Sequence, residues 1–364
     1  MITVKKNNAL VGLDLEAGSL AATEVRVNGA PEVVGAGVLP LPSGVINEGE
    51  VADPDALADG LKQLFADNKL SKSVRLGVAN QRVVVRMLRF PSIDKPGELE
   101  SAVRFQAQEH IPMPLDQAVL DYQVVNQSST EAGESVLDVM VVAARRDMVS
   151  AFVAAMRKAG LKPVGMDLSA FAMIRALHGE REVEMPAVPY EERQAGAEVE
   201  MPGTLYCNLG DVTNLAVARG DACLFTRVSQ FGIEGIAQRL AERRGLTLDH
   251  ARQWLGHVGL SEPIEAVEGD PETVVATRTA LQEGASKLVG ELRLSLEYYG
   301  AQEGNLSVQE VVVCGTGTTI PGLVEAIELE LGWRVTAPRP APLAGLDGAS
   351  AARLTLSYGV ALES

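Results

Sequence analysis

Short apolar stretches separated by tight turns open two parts of the chain in the same pattern. The first part contains three such stretches: ALVGLDL (9–15), LAATEVRV (20–27) and EVVGAGV (32–38). The second part contains TLYCNL (204–209), TNLAVAR (213–219) and CLFTRVS (223–229). Turn-forming residues separate the stretches, so each part is predicted to begin with two consecutive β-hairpins.

A helical pattern follows the hairpins in both parts, at Asp53–Ala66 and at Gly232–Arg244. The repeated order indicates an internal duplication within an α/β fold. Residues 181–202 are rich in Glu and Pro and show no apolar period, which is typical of an exposed linker. We therefore expect a first half (1–180), an acidic linker (181–202) and a second half (203–364).

Residues 83–165 alternate between strand and helix patterns within the first half. Their order is strand, helix, strand, strand, helix, strand. Such a block can bury a small core of its own, so it is predicted to form an inserted subdomain.

Composition excludes several classes of protein. Apolar residues make up 46% and charged residues 22% of the 364-residue chain, as in soluble globular proteins. The net charge of −16 disfavours binding to nucleic acid or directly to an anionic membrane. No apolar run is long enough to span a bilayer. The three cysteines lie in apolar strands, outside any C-x-x-C pair. We expect a cytoplasmic protein with reduced thiols and no membrane insertion.

The first turns of the two hairpin units are candidates for phosphate binding. Backbone N–H groups at Leu15–Ser19 and Leu209–Asn214 could grip a polyphosphate from both sides. The carboxylates of Asp14 and Asp211 would repel that ligand unless a divalent cation lay between them. The alternative is that these residues, with Gly18 and Gly210, only shape the turns.

A third motif, VVVCGTGTTIPGLVEAIELELG (311–332), reads as a strand, a Gly-rich turn and a helix. Gly315 and Gly317 would let a flat ring or a phosphate approach the backbone. Thr318 or Thr319 is predicted as the helix N-cap, with Pro321 in the first turn. The third glycine of a dinucleotide-binding fingerprint is missing. A plain strand-to-helix turn is the alternative.

Three longer stretches carry a family resemblance. They are RMLRFPSIDKPGELESAVRFQAQEHIPMPLDQAVLDYQVV (86–125), VMVVAARRDMVSAFVAAMRKAGLKPVGMDLSAFAMIRAL (139–177) and ELRLSLEYYGAQ (291–302). With the duplicated hairpins and the GTGT turn, they resemble the PilM family of type IV pilus assembly proteins, within the actin-like superfamily. The resemblance implies two halves around a nucleotide cleft, ATP with Mg²⁺, and a groove for the N-terminal cytoplasmic peptide of a PilN-like membrane protein. It also implies coupling to the pilus motor ATPases.

The resemblance assigns roles to residues of three motifs. Asp14, with Ala17, Gly18 and Ser19, matches the first phosphate motif, where Asp14 is the candidate catalytic residue and would hold Mg²⁺ through water. The second phosphate motif covers Asn208 to Asn214. The adenosine motif covers Gly315 to Thr318. Lys287 and Glu291 lie where related proteins face the nucleoside, although a salt bridge between the two is an alternative. The full set of nucleotide-binding candidates is Asp14, Ala17, Gly18, Ser19, Asn208, Gly210, Asp211, Thr213, Asn214, Lys287, Glu291, Gly315, Thr316 and Gly317.

One position departs from the superfamily pattern. The second phosphate motif usually begins with an acidic residue, and here it begins with Asn208. An amide can hydrogen-bond to a phosphate but cannot accept a proton as a carboxylate does. Slow or absent hydrolysis is therefore expected, with ATP as a conformational ligand. A small-molecule kinase and a filament-forming protein of the same superfamily are the alternatives. The kinase would need a catalytic carboxylate, and a membrane-tethered filament would need a basic amphipathic tail.

Overall fold

The computed structural model describes residues 9–93, 95–129, 133–180, 202–302 and 305–362. Its strands are β1 Ala9–Glu16, β2 Ser19–Val27, β3 Pro31–Pro40, β4 Ile46–Asn47, β5 Glu50–Val51, β6 Ser73–Val78, β7 Val83–Pro91, β8 Ala118–Ser129, β9 Ser135–Arg145, β10 Lys162–Leu168, β11 Gly203–Leu209, β12 Thr213–Arg219, β13 Ala222–Ser229, β14 Val308–Cys314 and β15 Val335–Thr336. Its α-helices are α1 Pro54–Asp67, α2 Pro96–His110, α3 Arg146–Lys158, α4 Ser169–Leu177, α5 Ile233–Arg244, α6 Leu248–Val258, α7 Pro271–Gly300, α8 Leu323–Leu331 and α9 Gly348–Ala361.

The two halves contain sheets of the same topology. The first sheet has the order β3-β2-β1-β6-β10, and the second has the order β13-β12-β11-β14-β15. In each sheet the first three strands form antiparallel hairpins, and a later strand pairs in parallel with the central one. This repeated order confirms the duplicated α/β fold predicted from the hairpin pattern.

Successive side chains along each strand point to opposite faces of the sheet, and a helical layer lies between the two sheets. Val11 and Leu13 of β1 face the core that contains α1 and α3. Gly12, between them, faces α9 instead, where a Cβ would collide with the backbone of Ser357 and Ala361. Helices α4 and α9 share one core with inward-facing residues of β2, β12 and β14. Helices α5 to α8 pack with the outer face of the second sheet.

Several helices begin where the sequence supplies an acidic cap. The side chain of Asp53 accepts hydrogen bonds from the amides of Asp55 and Ala56, both at 3.0 Å. Asp270 caps α7 and Asp347 caps α9 in the same manner, each accepting the amide three residues ahead. These bonds satisfy amides that have no partner inside the helix.

The inserted unit is smaller than the sequence suggested. Strands β7, β9 and β8 form a separate sheet, and one of its faces packs against α2. The expected bounds of 83–165 also included α3 and β10. In the structure β10 pairs with β6 and α3 packs in the core of the first half. The hydrophobic period identified these two elements correctly, but it does not encode which sheet an element joins.

The third motif also departs from its predicted geometry. Residues Thr316–Thr319 form a short 3-10 helix, and α8 begins only at Leu323. The hydroxyls of Thr318 and Thr319 donate to the carbonyls of Gly315 and Thr316, so neither threonine caps α8. Gly322 precedes the helix with φ of +79°, a left-handed conformation that breaks the continuity. The predicted linker at 181–202 lies outside the described residues except for Pro202.

Cys207, Cys223 and Cys314 are buried free thiols, as expected for reduced core residues. Burial raises the pKa of Cys223 to about 12 and raises the pKa values of the other two thiols as well. All three are therefore neutral packing residues at physiological pH. Within the described ranges, every helix is too short or too polar to cross a membrane.

We predict that Gly12→Ala destabilises the protein by about 1–3 kcal/mol, because the added methyl group would push α9 away from β1. Gly290→Ala is the matched control, since a Cβ on this exposed position of α7 meets no atom within 4 Å. The control should leave stability unchanged or raise it by about 1 kcal/mol. Urea denaturation measures both variants, and equal stabilities would contradict the close approach of α9.

Candidate functional site

The first hairpin turns of the two halves meet across the cleft between the sheets. The backbone amide of Ala17 donates to Oδ2 of Asp211 over 2.8 Å. The other carboxylate oxygen of Asp211 accepts the amide of Val212 at 2.7 Å. The guanidinium of Arg252, on α6, lies against Gly18, with its Cζ 2.9 Å from where a Cβ would be. The structure thus brings the two predicted phosphate motifs into direct contact.

A buried arginine from the C-terminal helix lies behind the first turn. Arg353 forms an ion pair with Asp14, and both side chains are about 5% exposed. Its Nε lies 3.3 Å from Oε2 of Glu16 and donates to the hydroxyl of Ser19 over 2.6 Å. Its Nη2 donates to the carbonyls of Asp14 and Ser19. Arg353 therefore fixes both ends of the first turn to α9.

Three carboxyl groups share this one guanidinium. Burial raises the pKa of Glu16 to about 8, and the neighbouring Asp211 and Asp14 add to the rise while Arg353 opposes it. Burial also raises the pKa of Asp211, although the amides of Ala17 and Val212 favour its ionised form. A single buried cation cannot neutralise three carboxylates, so Glu16 carries a proton at neutral pH.

The second phosphate motif extends into buried parts of β11 and β12. The thiol of Cys314 lies 3.6 Å from Oδ1 of Asn208, to which it donates. The hydroxyl of Thr213 donates to the carbonyl of Phe231 over 2.7 Å. Gly210 lies beside Glu16 and Asn208, where a Cβ would be 2.5 Å from Oε1 of Glu16. These contacts pack the motif against the protein itself.

The side chain of Asn214 differs from its neighbours. Both of its polar atoms are buried and have no hydrogen-bond partner among the described residues. A buried amide without partners carries a large desolvation cost, which a bound ligand can offset. Asn214 is therefore the member of the motif that is best placed to receive a polar group from outside.

Asn214 lines a cavity of about 430 Å³ between two strand edges. One side of the cavity is formed by Val83–Arg86 of β7 and the other by Thr226–Val228 of β13. Each of these strands pairs with a single neighbour among the described residues, β7 with β9 and β13 with β12. Leu168 and Ala170, at the junction of β10 and α4, form another part of the wall, together with Val78, Asn80, Gln81 and Pro112. The cavity thus joins the inserted sheet, the first half and the second half.

The glycine-rich turn borders a second cavity of about 480 Å³. Gly315 and Thr318 lie on one side, and Arg339 and Ala349 lie on the other. Gly317 packs against Leu209 and Ile233, where a Cβ would have no space. Gly315 lies on the cavity and is also tightly packed, since a Cβ there would be 2.2 Å from Oδ1 of Asn208 and its φ is +88°. Packing therefore requires glycine at both positions, and of the two Gly315 borders the cavity.

Lys287 and Glu291 do not pair with each other. The ammonium of Lys287 lies 3.9 Å from the centre of the Phe231 ring, a cation–π contact. Oε2 of Glu291 lies 3.4 Å from Nη2 of Arg227, whose Nη1 donates to the hydroxyl of Ser295. Instead of forming a salt bridge with each other, Glu291 contacts β13 and Lys287 contacts the segment after β13.

The turns fit an anionic group better than they fit a metal ion. The amide of Ala17 already binds a carboxylate oxygen, which shows that the turn presents a donor to an anion. A nucleotide phosphate has the same acceptor chemistry. Asp14 is engaged by Arg353, and the described residues contain no cluster of three or more His, Cys, Asp or Glu arranged for a metal.

Sequence reasoning missed Glu16, Arg353 and Arg252. Glu16 could have been found, because it lies inside the first turn beside Asp14. Arg353 carries a weak signal as a lone cation in the apolar helix AARLTLSYGVA, but its contact with Asp14 joins residues 339 positions apart. Nothing local marks Arg252.

Two sheets of the same topology, enclosing a helical layer and facing each other through hairpin turns, define an actin-like protein. The chain is similar to a PilM–PilN type IV pilus biogenesis complex, with 25% identity, a TM-score of 0.77 and coverage of 98% of both chains. It also shares its fold with the ethanolamine utilization protein EutJ from Carboxydothermus hydrogenoformans (14% identity, TM-score 0.52, covering 96% of this chain and 88% of EutJ). A further match is MreB5 of Spiroplasma citri bound to AMPPNP (13% identity, TM-score 0.51, covering 97% and 95%).

Residues 12–342 match the family described as type IV pilus assembly protein PilM. The chain belongs to this family. The family resemblance expected from the three long sequence stretches is thereby confirmed.

We predict that Glu16→Gln changes how stability depends on pH. The folded pKa of Glu16 lies near 8 and its ordinary value near 4.5, so protonation of Glu16 stabilises the fold below that range. This contribution is lost as pH rises towards 8. The stability of the variant relative to the unsubstituted protein should therefore increase between about pH 5 and 8 by at most about 1.4 kcal/mol per pH unit, and then level off. Urea denaturation across this range measures it.

Glu109→Gln, on the exposed face of α2, is the matched control for the same change of side chain at the surface. Parallel pH profiles for Glu16→Gln and the unsubstituted protein would rule out a protonated Glu16 in the fold.

Proposed function

We propose that this protein is a cytoplasmic adaptor of a type IV pilus assembly platform, docking the N-terminal peptide of a PilN-like inner-membrane protein. The likeness to a PilM–PilN complex over 98% of both chains carries this proposal. The protein would reach the inner membrane through this partner. Coupling to the pilus motor ATPases stays a prediction of the family resemblance.

The cavity between β7 and β13 is the proposed docking site. The edge strands β7 and β13 face it, so an extended peptide can add to them through main-chain hydrogen bonds. Such a peptide would compete with the side chains of Arg86 and Gln81, which donate to the carbonyls of Val85 and Val228. Val83–Val85 and Leu168 supply apolar contacts for peptide side chains. Asn214 supplies a donor and an acceptor that lack partners in the free protein. The family resemblance implies a groove between the first half and the inserted sheet. This cavity contains residues of both, and it also includes β13 of the second half.

Asn214→Ala should weaken binding of the synthetic N-terminal peptide of the PilN-like partner by about three- to tenfold, the equivalent of one hydrogen bond. It should leave the free protein equally or more stable, because a buried unpaired amide is removed. Calorimetric titration measures the affinity, and thermal melting measures the stability.

The matched control is Gln127→Ala, on β8 at the opposite edge of the inserted sheet. This exposed side chain should make no difference to peptide affinity. Equal affinities for both variants and the unsubstituted protein would place the peptide elsewhere. No binding by any of them would instead favour the kinase or filament alternatives.

We further propose that the cleft holds ATP with Mg²⁺ as a conformational ligand. The phosphates would lie at the turns of Ala17–Ser19 and Gly210–Val212, and the adenosine near Gly315. Two observations support this: the amide of Ala17 donates to an anion, and a cavity borders Gly315. Asn208 provides an amide where proton abstraction from water would need a carboxylate. ATP binding would thus bias the separation of the halves, with hydrolysis slow or absent.

Purified protein should turn over ATP far more slowly than about 1 per second, the low end of ordinary enzymes. Release of phosphate under saturating Mg-ATP measures the rate, with Asp14→Ala as the control for contaminating ATPases. Turnover at or above that rate, abolished by Asp14→Ala, would contradict the conformational role and favour the kinase alternative.

A further inference from the structure

The bond between Ala17 and Asp211 is a direct link between the two halves at the place proposed for phosphate. Both oxygens of Asp211 are occupied, one by the amide of Ala17 at 2.8 Å and the other by the amide of Val212 at 2.7 Å. One donor comes from each half of the molecule. A carboxylate of the chain itself therefore holds the position of an anion between the two turns.

The cations near the turns are likewise engaged by the chain's own carboxylates. Arg353, on α9, contacts Asp14 and Glu16 of the first half. Arg252, on α6, donates to Glu234 over 2.5 and 2.9 Å and pairs with Asp249 at 2.5 Å. A phosphate entering between the turns would thus meet a donor and two cations that already have anionic partners.

Two further side-chain hydrogen bonds cross between the halves. The side-chain amide of Gln230 donates to Glu48 over 2.9 Å, and that of Gln81 donates to the carbonyl of Val228 over 3.1 Å. The second-half residues in these bonds are Val228, near the end of β13, and Gln230, directly after it. These exposed bonds add little individually, whereas the bond to Asp211 is partly buried and charge-assisted.

We propose that Asp211 is an internal competitor for the nucleotide phosphate, which latches the two turns together until a nucleotide displaces it. The inference rests on the proposed binding of nucleotide in this cleft. The phosphate oxygens of a nucleoside triphosphate are the ligand chemistry that matches the amide of Ala17. Binding then has to break the Ala17–Asp211 bond first, so the observed affinity is the intrinsic affinity reduced by the fraction of open protein.

Removal of the competitor should therefore tighten nucleotide binding. Asp211→Ala is expected to raise the affinity for Mg-ATP at least about tenfold, the equivalent of one charge-assisted hydrogen bond. Asp211→Asn keeps the shape but removes the charge, so it should show a smaller increase. Asp221→Ala is the matched control, since Asp221 lies at the next hairpin turn of the same half and is exposed. Calorimetry measures all four proteins.

Amide hydrogen exchange of Ala17 without nucleotide is the second readout. Asp211→Ala should lose protection at Ala17, whereas Asp221→Ala should retain it. Thermal melting checks that each variant is folded. If Asp211→Ala does not fold, Asp211→Asn provides the test.

The outcomes separate the latch from the proposed function. Tighter binding together with lost protection at Ala17 supports the latch. Equal nucleotide affinities for Asp211→Ala and the unsubstituted protein would overturn the latch while leaving nucleotide binding intact. Tighter binding with unchanged protection would also overturn it, because the effect would then be charge repulsion alone. If no protein binds Mg-ATP, the nucleotide proposal and the latch both fail, while peptide docking is still decided by the Asn214 variant.

Discussion

The close packing of α9 against β1 is the constraint on which the cleft depends. Gly12 lets α9 approach β1, and only then can Arg353 reach Asp14, Glu16 and Ser19. Burying a guanidinium with carboxylates contributes little net stability, because desolvation offsets most of the attraction. Its effect is positional: it ties the first hairpin turn to a helix that also packs against the second sheet.

The same arrangement connects two parts of the molecule that have separate proposed ligands. The hairpin turns and the cavity between β7 and β13 are both bounded by the first half on one side and the second half on the other. Asn214 on β12 lies within three residues of Asp211 and lines the cavity. If peptide and nucleotide bind as proposed, each changes the same separation of the halves, and their affinities must then be coupled reciprocally.

Local sequence patterns predicted the strands and helices well, but they did not predict which distant elements pair with each other. The apolar stretches ALVGLDL and TLYCNL, each followed by turn residues, predicted β1 and β11 to within a residue or two, because both signals depend on neighbouring residues alone. The predicted bounds of the inserted unit, 83–165, were too wide. The sequence patterns of α3 and β10 are the same whether these elements join the core of the inserted sheet or that of the first half. The helix start at Thr318 or Thr319 failed because those hydroxyls donate backwards and Gly322 adopts a positive φ.

The sequence alone determined the repeated order of strands along the chain, the two hairpin turns, the glycine-rich turn and the family, since each depends on contiguous residues. Tertiary structure alone decided that Arg353 meets Asp14, that Glu16 is buried beside Asp211, and that Asp211 bonds to Ala17. Those contacts join residues up to 339 positions apart. The physical reason is that burial and charge pairing depend on which surfaces meet, and no local period or spacing encodes that meeting.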